Sequence, residues 1–297
     1  MALVHYTSCP VCGSTDIADV LAVKDFTVSN KEFVIAECKS CSLRFTQDVP
    51  GAESIGDYYK SENYISHTDT SKGLINTLYK KVRNITLAQK RKLVERASGK
   101  NVGKILDVGS GTGAFANEMK VNNWDVTGLE PDSGAIKVAK DLYKLELQST
   151  DQLFRLNAGS YDAITMWHVL EHVHQLKEYI VQLKNLLATN GKLIIAVPNF
   201  TSVDAKQYKE YWAAYDVPRH LYHFSPRAMQ TLIENNGMKI LEYKPMWFDS
   251  FYVSLLSSKY KNGKTNWIGA VWTGFLSNLK AMSDNKNCSS VIYVISK

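Results

Sequence analysis

The sequence predicts an α/β protein that carries a small cysteine-bound module at its N-terminus. An apolar run, Lys104-Ile105-Leu106-Asp107-Val108, enters the loop Gly109-Ser110-Gly111-Thr112-Gly113, and a helical pattern follows from Ala114 to Val121. That strand, glycine loop and helix form the opening unit of a parallel sheet with a nucleotide-type crossing. Four of the five cysteines fall in two CxxC pairs, Cys9-Pro10-Val11-Cys12 and Cys38-Lys39-Ser40-Cys41, a donor set that zinc prefers.

At 297 residues the chain is long enough for about two domains. With 45% hydrophobic, 11% aromatic and 22% charged residues, its composition excludes disordered, collagen-like and membrane-bundle classes. The net charge of +6 permits an anionic partner without demanding one. The first ten residues have neither a basic start nor an apolar run of signal-peptide length, so a cytoplasmic location is expected. The longest uncharged stretch, Thr265 to Leu279, is too short and too polar to span a bilayer, for which about 20 apolar residues are needed.

Residues 1–48 are expected to form a zinc ribbon. Each CxxC presents two thiolates from one tight turn, and two such turns make a tetrahedral sulfur cage with Cys9, Cys12, Cys38 and Cys41 as structural ligands and no open position. Gly13 follows the first pair, where a positive φ turns backbone amides toward the sulfurs. The segment between the pairs is longer than the common ribbon spacing. It contains two strand-like runs, Val20 to Val23 and Phe33 to Ala36, which read as a hairpin arm. No βαβ pattern surrounds either pair, which disfavours a redox dithiol.

Residues 49–100 form a connector, carrying Tyr58, Tyr59, Tyr64 and His67, and a basic helix. From Lys72 to Lys100 the residues Leu74, Leu78, Val82 and Ile85 keep helical spacing, with nine Lys and Arg against one acid, Glu95. Such a helix can meet nucleic acid, but a solvated face is the favoured reading.

Residues 101–297 hold the cofactor core. Glycines at the first strand–helix crossing let the backbone approach a ligand where helix N-terminal amides point. Glu130 ends the apolar run Val126 to Leu129, about 20 residues after the first glycine, where a carboxylate accepts ribose hydroxyls. The third glycine comes one residue too early for a dinucleotide fingerprint, and Phe115 stands where a small residue belongs. Asp107 would repel a pyrophosphate but suits an ammonium group. These details favour S-adenosylmethionine over a nicotinamide cofactor.

Four segments follow one another in order: Ile105 to Gly113, Leu129-Glu130-Pro131-Asp132, Tyr161 to Val173 with its Trp167-His168-Val169-Leu170-Glu171-His172 core, and Gly191 to Asn199. Through them the sequence resembles the class I S-adenosylmethionine-dependent methyltransferases, including the ubiquinone-pathway O-methyltransferases, over residues 100–245 and the final strand. The resemblance implies a Rossmann-like seven-stranded methyltransferase sheet whose antiparallel last strand slots between the fifth and sixth. Lys239 to Tyr243 would be the sixth strand and Val291 to Ile295 the seventh. It also implies that Asp107, Gly109, Ser110, Gly111 and Gly113 hold the methionine end, Glu130 with Pro131 the ribose, and Trp167 the region of the reacting methyl. Asp151, after a weak strand at Leu145 to Gln148, is the candidate for adenine. His168, Glu171 and His172 have spacings that would share one helical face and hold a divalent metal. Relatives that methylate catechols or RNA ends place a glutamate at the His168 position, so a structural or substrate-facing role is expected there.

Pro218-Arg219-His220 followed by His223-Phe224-Ser225 resembles a recurring element of this subgroup, which implies a place over the substrate mouth. Arg219 is the candidate clamp for an anionic acceptor, with Tyr59, Tyr64 and His168 as further substrate contacts. His220 or His223 is the candidate base for an attacking hydroxyl. Ser225 and Pro226 open a helix that Asn235 or Asn236 and Gly237 close. Residues 246–287 are an aromatic-rich insertion expected to build the acceptor pocket, with a dimer face or a membrane surface as alternatives. Cys288 is expected to be buried beside the last strand. The expected function is S-adenosylmethionine-dependent methylation of a small-molecule acceptor, at oxygen. The alternatives are an RNA or protein methyltransferase, a zinc-dependent nucleic-acid-binding module on an inactive core, and a nicotinamide oxidoreductase; the intact glycine loop and its spacing count against the last two.

Overall fold

A computed structural model describes residues 3–59 and 74–297, the side chains of residues 74–81 excepted. Tyr64 and His67 lie outside the described residues. The chain forms two compact units. One draws on residues 3–59, 170–177 and 196–293, the other on residues 74–169, 178–195 and 294–297.

In the first unit, β1 (Leu3–Val4) pairs antiparallel with β5 (Val49–Pro50). The hairpin arm is present and longer than its apolar runs: β2 (Ile17–Lys24) pairs antiparallel with β3 (Glu32–Cys38), interrupted by a bulge between Asp19 and Leu21. The turn between them is shaped by Asp25, whose carboxylate accepts the backbone N–H groups of Thr27, Val28 and Ser29. β4 (Arg44–Thr46) adds to β3, and β10 (Tyr222–His223) adds to β4, giving the order β10-β4-β3-β2. The N-terminal sheet therefore takes its outer strand from a segment in the last third of the chain.

The larger sheet contains β6 (Lys104–Val108), β7 (Asp125–Leu129), β8 (Tyr161–Trp167), β9 (Leu187–Pro198), β11 (Lys239–Pro245) and β12 (Ser290–Ser296), in the order β11-β12-β9-β8-β6-β7. β6 runs parallel to β7 and to β8. The final strand lies between the fifth and sixth core strands, as the resemblance implied. The count differs from seven. Where the edge strand was expected, Gln148 makes one isolated parallel bridge to Leu129, its N–H donating to Gly128 O and its carbonyl accepting from Glu130 N. Pairing stops there because Ser149 at once caps a 3-10 turn, Thr150–Arg155.

The helices are α1 (Leu74–Ser98), α2 (Ala114–Val121), α3 (Ser133–Tyr143), α4 (Leu176–Leu186), α5 (Val203–Tyr208), α6 (Pro226–Asn235), α7 (Asp249–Asn262) and α8 (Trp267–Ser283). α6 begins as its sequence dictates: Ser225 Oγ accepts Ala228 N, and Pro226 takes the first turn, where its missing N–H costs nothing. The insertion is the α7–α8 hairpin. Asp204 on α5, fully buried, ties it down by accepting Ser277 Oγ, Ser289 Oγ and Trp212 Nε1, each at 2.7 Å. Cys288 is buried, and burial pushes its thiol up to about 12.

Candidate functional site

The residues expected to hold a cofactor all lie in the second unit. β6 is buried along four of its five residues and carries Asp107 into the interior. Thr165 Oγ1 on β8 donates to Asp107 Oδ1 at 2.7 Å. Burial still dominates, raising the Asp107 carboxyl to about 6, against the hydrogen bond and the Lys90 charge that pull it down.

The loop after β6 divides its work among its residues. Gly109 has φ +72, and a Cβ there would stand 2.4 Å from Val169 Cγ2, so this glycine is required for packing. Ser110 turns its hydroxyl inward onto Asp107 O at 2.9 Å. At Gly113 a Cβ would lie 2.9 Å from that of Ala139. Gly111 is different: its φ is +53, and nothing lies within 4 Å of where a Cβ would be. The open space above the loop is therefore at Gly111. Its N–H donates to Glu130 Oε2 at 2.7 Å, and Asp132 N donates to Oε1 at 3.0 Å. Glu130 is buried and its carboxyl raised by desolvation. Each of its oxygens retains a lone pair for a hydroxyl donor.

Trp167, half-buried at the end of β8, packs edge-on against Phe115, ring centres 5.4 Å apart. The Lys90 ammonium of α1 stands 4.3 Å from its ring centre. Its indole N–H has no hydrogen-bond partner among the described residues. Phe115, where a dinucleotide site needs a small residue, thus braces Trp167. Lys90 escaped the sequence reading because it is one of nine cations on a helix that reads as solvated. Asp151 is exposed in the 3-10 turn, and Pro131 is exposed after Glu130.

The candidate substrate and base residues, His168 and Tyr64 excepted, lie in the first unit. Glu171, His172 and His220 bring their ligand atoms within 4.8 Å of one another. The trio weighed as metal ligands from its spacing, for which a structural or substrate-facing role was expected, has His168 where this cluster has His220. The helical spacing behind it does not apply, because His168 takes φ +59 and a 3-10 turn, Leu170–His172, follows. His220 comes in from beyond β9 and α5, a contact no local pattern encodes. The rings of His172 and His220 are 4.6 Å apart and nearly perpendicular. His172 Nδ1 lies 3.0 Å from Arg219 O and 2.9 Å from Tyr59 Oη. His220 Nδ1 lies 2.8 Å from Ala214 O. A carbonyl only accepts, so each Nδ1 carries the proton, and each Nε2 presents a lone pair. This is the tautomer that metal-ligating and proton-accepting histidines share. Burial lowers the His172 pKa to about 4, with the His220 charge adding to it.

His223 occupies a different environment. It is buried in β10, with Nε2 3.0 Å from Thr46 Oγ1 and its ring edge-on to Tyr215. Desolvation pushes its pKa well below the ordinary value. Arg219, expected to clamp an anion, is 2% exposed and spends its donors within the protein. Its Nε and Nη2 bond both oxygens of Asp216, Nη1 donates to Tyr58 O at 2.8 Å, and Nη2 donates to Thr27 Oγ1 at 2.5 Å. Asp216, three residues earlier, supplies the pairing that the sequence reading missed.

The four N-terminal cysteines converge. Cys9 and Cys41 sulfurs are 3.5 Å apart, as are those of Cys12 and Cys38, and all four lie within 4.8 Å of one another. The two CxxC turns are alike: Gly13 N donates to Cys9 O, and Ser42 N to Cys38 O. Gly13 and Ser42 both have positive φ, +76 and +61. Zinc bonded to four thiolates at about 2.3 Å holds them about 3.8 Å apart, a spacing this cluster closely approaches. The donor set and geometry therefore fit zinc.

Comparison with known proteins agrees with this geometry. Residues 82–243 match a family described as a methyltransferase domain. The ubiquinone biosynthesis O-methyltransferase of Xanthomonas axonopodis pv. citri is 29% identical over 161 residues, covering 49% of this chain and 66% of that one. An uncharacterized methyltransferase of Bacillus cereus is 28% identical over 160 residues, covering 50% of this chain and 75% of that one. The chain spans 54–66% of the length of the ubiquinone-pathway relatives. Among solved structures, phosphoethanolamine N-methyltransferase 2 of Haemonchus contortus, in complex with S-adenosyl-L-methionine, shares the fold over 94% of this chain and 71% of that one, with a TM-score of 0.52 at 14% identity. With more than half of its length matched by the family, this chain belongs to the methyltransferase-domain proteins, the class I S-adenosylmethionine-dependent methyltransferases.

Proposed function

We propose that this methyltransferase acts on a hydroxyl of a small-molecule acceptor, with His220 as the proton acceptor. The observation that carries the reading is the contact of His220 Nδ1 with Ala214 O at 2.8 Å: the carbonyl accepts from Nδ1–H, which leaves the lone pair on Nε2, 3.9 Å from Asp216 Oδ2. A hydroxyl becomes an effective nucleophile as its proton leaves, and a neutral imidazole nitrogen is suited to take it. His223 lies buried in the paired strand β10, with Nε2 on Thr46 and Nδ1 closed off from solvent, so we assign it a structural role. Tyr59 and the Arg219 carbonyl orient His172, and the Arg219–Asp216 pair fixes the segment bearing His220, so Arg219 acts as a positioning residue.

S-adenosylmethionine supplies, when bound, an electrophilic methyl on a sulfonium. Asp107 would hold its ammonium group, the open backbone at Gly111 would let it approach, Glu130 would accept its ribose hydroxyls, and Trp167 would face its charged end. Three cations of the basic segment are engaged within the protein, which supports a small acceptor over nucleic acid. Arg91 bonds Glu95 and Glu118, Lys100 bonds Asp162, and Lys90 covers Trp167.

A second reading is favoured by Glu171, whose carboxylate lies within 4.8 Å of a ring nitrogen of both His172 and His220: a divalent cation held by the three would acidify the acceptor hydroxyl in place of a free base. Turnover measured after chelation, and again with magnesium or manganese restored, separates the two. Full activity without metal supports the free base, whereas loss and restoration support the cation. In either reading, a product methylated only at nitrogen or carbon refutes hydroxyl methylation. We also assign the four cysteines to one structural zinc.

A further inference from the structure

Helix α8 has a single charged residue, Lys280, and its large apolar residues are on the outer side. Ala270, Thr273, Gly274, Ser277 and Ala281 are buried, the small face that lets α7 approach closely. Ile268, Val271, Trp272, Phe275, Leu279 and Met282 are exposed, reaching 86% at Ile268 and 61% at Trp272. At 100° per residue these six fall within an arc about 100° wide along the whole helix, roughly 25 Å. A solvated helix carries polar residues there. A continuous apolar stripe of this kind marks an interaction surface.

The charges around the stripe identify its partner. Between Asp249 and Asp284 the chain has four exposed lysines, Lys259, Lys261, Lys264 and Lys280, and no acidic residue. An isologous pairing with a second copy offers only Asp249 and Asp284, at the ends of the hairpin, against the four lysines. A phosphate-bearing lipid surface gives each one a partner. The helix is too short to cross a bilayer, and no described helix is long and apolar enough to do so.

We propose that α8 lies in the plane of an anionic bilayer surface, its aromatic and aliphatic stripe in the boundary between headgroups and acyl chains and its flanking lysines on lipid phosphates. Such docking would bring the enzyme to acceptors that are lipid-linked or partition into membranes.

The test is co-sedimentation of the intact chain with phosphatidylglycerol/phosphatidylcholine vesicles and with pure phosphatidylcholine vesicles. Binding to the anionic vesicles should be at least tenfold tighter and should weaken with salt. Ile268→Ser/Val271→Ser/Trp272→Ser should reduce it at least tenfold without changing the melting temperature by more than a few degrees or the affinity for S-adenosylhomocysteine. Lys259→Glu/Lys264→Glu should do the same through charge alone, leaving the apolar stripe intact. Failure of the intact chain to bind anionic vesicles overturns the proposal. So does light scattering that shows a dimer dissociated by the triple substitution while vesicle binding is absent, which would assign the stripe to a second copy.

Discussion

The Gly111 N–H donates to Glu130 Oε2 at 2.7 Å, joining the loop after β6 to the end of β7 through the two residues the proposed cofactor contacts require. Glu130 thus holds the loop while its remaining lone pairs stay available to a ligand. Glu130→Ala should weaken S-adenosylhomocysteine binding about 10- to 100-fold, the equivalent of one or two hydrogen bonds to a charged acceptor. Gly111→Val should abolish it, because the side chain fills the open space and strains a φ of +53. A Gly111→Val protein that binds normally in a thermal-shift assay refutes the placement.

Asp107 makes cofactor binding depend on pH. Its carboxyl is raised to about 6 in the folded protein, so burial costs stability as pH rises from the ordinary carboxylate range to 6. An ammonium group beside it would recover that cost only when the carboxyl is ionised. Affinity for S-adenosylhomocysteine should therefore be flat above about pH 7 and fall by up to tenfold per pH unit below 6. Asp107→Asn should bind weakly and lose this slope. A wild-type affinity that stays constant from pH 5 to 7 contradicts the role.

His220 and His223 separate into catalytic and structural roles. His220→Ala should lower turnover by about 10² or more with cofactor affinity within about twofold. His223 is buried neutral, and its pKa lies well below the ordinary 6.5. Its contribution to stability is complete above 6.5 and is lost at up to about 1.4 kcal/mol per pH unit below that, until the folded-state value is passed. His223→Gln should flatten the acid limb of the melting temperature against pH. Equal loss of turnover in both variants with unchanged melting profiles would remove the distinction.

Zinc should be found at one per chain by elemental analysis. Cys12→Ser should release it and loosen the N-terminal sheet. Because β10 belongs to that sheet, the loss should also increase hydrogen exchange at Tyr222 and His223. Iron in place of zinc, or full metal retention by the variant, counts against the site.

Much of this was legible where information is local. The glycine loop, α2 from Ala114 to Val121, the Ser225–Pro226 helix start and the two CxxC turns depend on neighbours within a few residues, and the sequence states them directly. The absence of a full strand after β7 was not legible, because Leu145 to Gln148 has an apolar alternation but is halted by the Ser149 cap. His220 meets His172, and β10 joins β4, from segments far apart in the chain. Such pairings arise from tertiary packing, which spacing does not encode. Arg219 looked like an anion clamp because its type suits one. The nearby Asp216, which takes its guanidinium, is visible in the sequence but its orientation is not.

We assign Asp107, Gly111, Glu130 and Trp167 to one S-adenosylmethionine site. Calorimetric titration of the purified chain with S-adenosylhomocysteine tests it most directly. One equivalent should bind per chain at micromolar affinity or better, binding should be abolished by Gly111→Val, and NAD should not bind. Binding of NAD with none of S-adenosylhomocysteine would contradict it.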